Sequence, residues 1–132
     1  MSEHPINGSC LCGDIIIGID AWQSDVTYCH CSQCRKQTGL YYAAADVLHT
    51  DLHVDESKLA WFDASEEASR AFCPRCGSAL FWRKHGSDCT AVMPGCINGD
   101  TGLKADGHIF IADRGDYYTL SDGLPQWPQS DT

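Results

Sequence analysis

Apolar and β-branched residues recur along this chain in short runs separated by polar turns, which is the pattern of strands. Asp14–Asp20 (DIIIGID) is the clearest run, and Val26–His30 is a shorter one that leads into a group of cysteines. Leu40–Val47 (LYYAAADV) follows a Thr38-Gly39 turn signal. Leu59–Phe62 and Ala68–Phe72 flank an acidic loop, Asp63–Glu67. Ala79–Arg83, Cys89–Met93 and His108–Ala112 (HIFIA) complete the set of predicted strands. Only Ser32–Thr38 has helical character, and it is too short for more than a turn or two. Gly99–Gly102 is expected as a loop, and 128–132 as a flexible tail. The expectation is one mainly β domain over residues 1–127, with at most short helical turns.

Composition narrows this picture. A chain of 132 residues makes one domain with a modest core, so crosslinks by metal ions would strengthen it. Nine Lys and Arg stand against eighteen Asp and Glu, a formal charge of −9. Thiolates on metal ions would make that more negative. Small cysteine-rich domains that bind nucleic acid carry basic patches to meet phosphate, so this balance argues against a nucleic-acid partner. No apolar run approaches the ~20 residues of a membrane span, so no membrane partner is expected. The start, Met-Ser-Glu-His-Pro, has neither the basic nor the apolar region of a secretory signal. The expected location is therefore the reducing cytoplasm, where cysteines favour metal over disulfides.

Seven of the nine cysteines fall into three groups. Cys73-Pro-Arg-Cys76-Gly77 has the form of a metal knuckle, with a glycine able to take the positive φ of the turn. In Cys10-Leu-Cys12-Gly13 the two sulfurs share one face of an extended chain while Leu11 points elsewhere. Cys29-His-Cys31-Ser-Gln-Cys34 puts three sulfurs within six residues. Alternation aims His30 away from Cys29 and Cys31, which suits a hydrogen-bonded residue better than a ligand. The count of seven divides into a closed four-sulfur site and an open three-sulfur site. Spacing also permits a zinc ribbon of Cys31, Cys34, Cys73 and Cys76, leaving Cys10, Cys12 and Cys29 over. Cys89 and Cys96 are expected to be free thiols, readily titrated in the native protein.

Together these residues resemble the glutathione-dependent formaldehyde-activating enzymes and the wider centromere-protein-V-type domain. The similarity runs through Gly8–Gly13, Cys29–Lys36, Gly39, Ser65, Arg70–Ser78, His108–Ile111 and Asp122–Gln126, nearly the whole chain. It implies a small, twisted, mostly antiparallel β fold of the β-tent type built around zinc. It also implies a grouping: Cys10, Cys12, Cys73 and Cys76 around a structural Zn2+, and Cys29, Cys31 and Cys34 around a second, catalytic Zn2+. The chain departs from the longer formaldehyde-activating members, which carry extra segments that help hold glutathione. Arg114-Gly-Asp-Tyr-Tyr118 stands where many members have a tryptophan near position 117.

The chemistry implied is that of a carbon–sulfur lyase. A small-molecule thiol would take the open position on the Cys29/Cys31/Cys34 zinc and add to a carbonyl such as formaldehyde, or the adduct would break in reverse. Three thiolates leave such a zinc at net −1, which suits delivery of a thiol better than polarisation of a carbonyl. Arg35 and Lys36 are candidates to offset that charge, although exposed cations on a helical turn are the plainer reading. Tyr41, Tyr42, Trp61, Phe81 and Trp82 are candidates for a pocket wall, with core packing the commoner role. The alternative is a non-catalytic domain for protein interaction or for thiol or zinc sensing. A fourth protein ligand on the second metal would favour that alternative.

Overall fold

A computed structural model describes residues 4–130. The described residues form a mainly β structure with one α-helix and two sheets. The smaller sheet has the order β1-β2-β5, from β1 (Ile6–Ser9), β2 (Ile16–Ile19) and β5 (Leu52–Val54). The larger contains β3 (Val26–Cys29), β4 (Tyr42–Leu48), β6 (Ala60–Asp63), β7 (Ala68–Phe72), β8 (Ala79–Lys84), β9 (Cys89–Val92) and β10 (Ala105–Ile109). Its order is β10-β3-β4-β9-β8-β7-β6. All pairings are antiparallel except β10 with β3, which is parallel. The helix α1 (Ser32–Thr38) bridges β3 and β4, and Gly39, at φ 82°, closes it by donating to the Arg35 carbonyl.

The inward residues of β2 make the centre of the core. Ile15, Ile17 and Ile19 pack with Val47, Leu59, Ala71, Leu80, Phe81 and Val92 between the two sheets. Cys10 and Cys73 belong to the same buried cluster. One group of predicted ligands is thus set into the core where the small sheet meets the β7–β8 hairpin.

Three departures from the sequence pattern have local causes. β1 (INGS) carries an Asn-Gly pair that suggests a turn, yet it pairs along its whole length with β2. β5 has only three residues, too few to show alternation. The strand expected at 108–112 runs instead from 105 to 109. Phe110 has φ 59°, a left-handed conformation that ends the strand, and 111–113 form a 3₁₀ turn. The C-terminal segment lies over β10: the His108 amide donates to the Pro125 carbonyl and the Trp127 amide to the His108 carbonyl, at 2.9 and 2.8 Å. A Cβ on Gly107 would fall 2.4 Å from the Trp127 ring, so that strand position needs glycine. The tail expected from 128 is tied down further, because the Pro128 and Gln129 carbonyls accept from Ala112 and Phe110. Residues 131–132 lie outside the described residues.

Phe81 is the largest of the fully buried side chains. Phe81→Ala is expected to lower unfolding stability by about 3–5 kcal/mol. The shift of the denaturant midpoint of the metal-loaded protein measures it.

Candidate metal centres

The Cys10–Gly13 and Cys73–Gly77 segments each fold as a tight turn, closed three residues after Cys10 and four after Cys73. In each, the glycine has φ near 80°, and its amide donates to the carbonyl of the first cysteine. Each turn aims amides at sulfur: Ile15 donates to Cys10 Sγ at 3.3 Å, and Cys76 to Cys73 Sγ at 3.4 Å. Ser78 links the two, because its hydroxyl accepts from the Leu11 amide at 2.9 Å and lies 3.2 Å from Cys76 Sγ. That hydroxyl helps pull the Cys76 thiol down to about 5. The four sulfurs all lie within 4.8 Å of one another. Cys10–Cys12 and Cys12–Cys73 are 3.6 and 3.8 Å apart. A tetrahedral ion with metal–sulfur bonds of about 2.3 Å has sulfur–sulfur edges of about 3.8 Å, so the set fits one such ion. Leu11, between the first two ligands, points into solvent.

Cys29, Cys31 and Cys34 form the second cluster, again within 4.8 Å. Cys29 ends β3, Cys31 is the N-cap of α1, and Cys34 is buried in the helix's first turn. The Cys34 amide donates to Cys31 Sγ at 3.4 Å, a capping bond that fixes both sulfurs. No other Cys, His, Asp or Glu atom among the described residues joins this group. The structure thus separates Cys31 and Cys34 from Cys73 and Cys76, against the zinc-ribbon grouping.

Arg70, on β7, supplies the balancing charge. It is only 5% exposed, and its guanidinium donates to Cys34 Sγ at 3.4 Å, Gln37 Oε1 at 2.7 Å and Gln33 Oε1 at 3.3 Å. It also lies over the Tyr42 ring. Among the described residues no carboxylate pairs with it. A buried guanidinium needs an anionic partner. Neutral amides and a neutral thiol do not provide one, whereas three thiolates on a divalent ion carry −1. Arg35 and Lys36, the cations suggested by sequence position, sit in the last turn of α1 instead. Arg70 could be found in the sequence only as part of the Arg70–Ser78 match, because β7 pairs it with no local signal.

A groove of about 510 Å³ runs beside this cluster, lined by Gln33, Lys36, Gln37, Phe62, Phe72 and Arg70 among others. Arg70 thus touches both the groove and Cys34. The aromatic residues expected as a wall lie elsewhere. Phe81 is core, Tyr42 is buried beneath Arg70, and Trp61 lies under Arg83.

His30 points away from the sulfurs and is fully buried. Its Nδ1 meets the Tyr118 hydroxyl, and its Nε2 lies 2.9 Å from His108 Nδ1. His108 Nε2 in turn lies 2.7 Å from Asp122. Burial, then the neighbouring His108, lowers His30 to about 4, so the ring is neutral at physiological pH. Tyr41 packs against His30 and Tyr28 against His108. This chain of hydrogen bonds anchors the peptide that carries Cys29 and Cys31, and its partners lie too far apart in sequence to be paired by pattern. Burial pushes the thiol of Cys96, expected to titrate readily, up to about 12. Burial raises Cys89 as well.

Arg70→Gln is expected to weaken metal binding at Cys29/Cys31/Cys34 by about 10–100-fold while sparing the other cluster. Chelator competition on the folded variant reads both constants.

Among curated proteins no match was found. A crystal structure of a Rhodobacter sphaeroides protein is similar at 23% identity, with a TM-score of 0.62 over 73% of this chain and 91% of that one. That likeness supports the fold. The family model described as glutathione-dependent formaldehyde-activating enzyme matches residues 5–113, which contain both cysteine clusters. The chain belongs to that family.

Proposed function

We propose that this protein is a two-zinc domain that makes or breaks a carbon–sulfur bond between a small thiol and a carbonyl. In this reading Cys10, Cys12, Cys73 and Cys76 hold a structural zinc, and Cys29, Cys31 and Cys34 hold the one that reacts. The observation that carries it is the second cluster: three converging sulfurs, no fourth protein ligand among the described residues, and a buried guanidinium with no carboxylate. Family membership supports the reaction class.

Zinc at the second cluster would supply a fourth position at which a thiol is held as thiolate at neutral pH. The chain's own residues set the stage for that. Arg70 offsets the charge of the three cysteines and, with Gln33 and Gln37, fixes Cys34. The His30–His108–Asp122 chain fixes the peptide between Cys29 and Cys31. The groove beside α1 offers apolar walls at Phe62 and Phe72, and Lys36 and Arg70 suit an anionic group on the substrate. With formaldehyde as the carbonyl, a sulfur–carbon bond forms as the carbon–oxygen π bond breaks. The thiol's proton ends on the new hydroxyl, giving an S-hydroxymethyl adduct, and the reverse step regenerates both reactants.

The two cysteine clusters of the native protein are expected to hold about two zinc ions per chain. Cys31→Ser should lose one zinc and keep its fold. Cys76→Ser should lose the cooperative fold, because structural zinc binding is folding energy. Exchange NMR on mixtures of a thiol and labelled formaldehyde reads the reaction. Wild-type protein should speed adduct exchange at least about tenfold over Cys31→Ser, a modest demand on an enzyme. Equal rates for the two proteins across a panel of thiols including glutathione would sink the catalytic reading in favour of a binding or sensing domain.

A further inference from the structure

We infer that His4, Asp20 and His53 form a third metal site, built for a borderline divalent cation such as Co2+, Ni2+ or Zn2+, on the outer face of the small sheet. It shares no residue with the two cysteine clusters. Its three donors come from three segments. His4 precedes β1, Asp20 follows β2, and His53 is the middle residue of β5.

The sheet explains why they meet. Residues 17 and 19 of β2 point into the core and are fully buried. Strand alternation therefore sends Gly18 and Asp20 outward. The pairing register sets His53 directly across from Gly18. The His4 ring then lies flat over Gly18 and stacks on the His53 ring, with centroids 4.2 Å apart and planes 13° from parallel. Both rings turn a nitrogen to the same carboxylate. His4 Nδ1 lies 2.9 Å from Asp20 Oδ1, and His53 Nε2 lies 2.8 Å from Asp20 Oδ2. One donor atom from each residue falls within 4.8 Å of the other two.

Gly18 gives a second, independent sign of a shaped site. A Cβ there would fall 2.2 Å from His4 Cδ2 and 2.7 Å from Cγ. The strand position is outward-facing yet buried, because the imidazole covers it. The glycine is not needed for backbone conformation, since its φ is not positive. It is needed to seat the ring.

The donor set is two imidazoles and one carboxylate, with one donor atom from each within 4.8 Å of the others. That combination suits nitrogen- and oxygen-preferring divalent ions and leaves further positions open, in contrast to the soft thiolate clusters. The side chains are 27%, 40% and 42% exposed for His4, Asp20 and His53, so an ion can enter and exchange from solvent. His53 also borders a cavity of about 280 Å³ with Asp14, Asp55 and Lys58, which leaves room beside the ligands for water or a small anion.

The test is titration of zinc-loaded protein, with both cysteine clusters filled, by cobalt chloride. Wild-type protein should take up one further equivalent with the weak visible absorption of a six-coordinate nitrogen–oxygen site and no intense thiolate-to-cobalt band. His53→Ala removes a ligand, and Gly18→Ala displaces the His4 ring without touching any ligand. Each should weaken the added cobalt at least about tenfold while leaving the cysteine-bound zinc in place. No uptake beyond the cysteine clusters, cobalt bands of the thiolate kind alone, or uptake unchanged in both variants would overturn the inference. The outcome is independent of whether the protein turns over a thiol adduct.

Discussion

The meeting of two knuckles, Cys10–Gly13 and Cys73–Gly77, is the contact on which the rest of the architecture depends. It brings residues more than sixty positions apart to one point, and it does so at the border of the core, where Cys10 and Cys73 are buried with Ile15, Ile17 and Phe81. The β1-β2-β5 sheet is small, and none of its three strands is longer than four residues. Such a sheet has little surface to hold it against its neighbour. An ion gripped by both knuckles would replace missing apolar area with coordination, which is how small domains commonly gain stability. The geometry is economical: each turn satisfies its own carbonyl through a left-handed glycine, and Ser78 ties one turn to the other.

The second cluster is built by the opposite logic. Its three cysteines lie within six residues, so closing it costs little chain entropy and contributes little to long-range order. Its ties to the rest of the fold come from Arg70 on β7 and from His30, which reaches β10 through His108. Both ties hold the cysteines without joining their cluster. Charge explains the difference in surroundings. Four thiolates on a divalent ion carry −2 and sit partly in solvent at Cys12. Three carry −1, and one buried guanidinium is enough to neutralise them. With an ion bound, such a cluster would have one coordination position to spare and could exchange its last ligand without disturbing the fold.

Much of this was legible in the sequence. β7 and α1 fall where pattern places them, because Ala68–Phe72 is bounded by an acidic loop and a knuckle, and Ser32–Thr38 is bounded by a capping cysteine and Gly39. The two three-dimensional groupings were not legible from spacing, which also allowed a ribbon of Cys31, Cys34, Cys73 and Cys76. The family resemblance supplied the pairing that the geometry displays. What escaped were features made only by register and chain return. Arg70 meets Cys34 because β7 runs past the helix. His108 meets His30 because β10 lies parallel to β3. Phe110 ends β10 early through one backbone angle that no propensity announces. Gly18 in DIIIGID looks like a weak point in a strand, and its purpose appears only when His4 is seen lying over it.

The central claim is one closed and one open metal position in the same small domain. Zinc-edge X-ray absorption on protein carrying two zinc equivalents measures that directly. Averaged over the two ions, the account predicts about 3.5 sulfur and about 0.5 oxygen or nitrogen neighbours per zinc, rising to about four sulfurs when a binding thiol is added. An average of four sulfurs before any thiol is added, or a spectrum that no thiol changes, would contradict it.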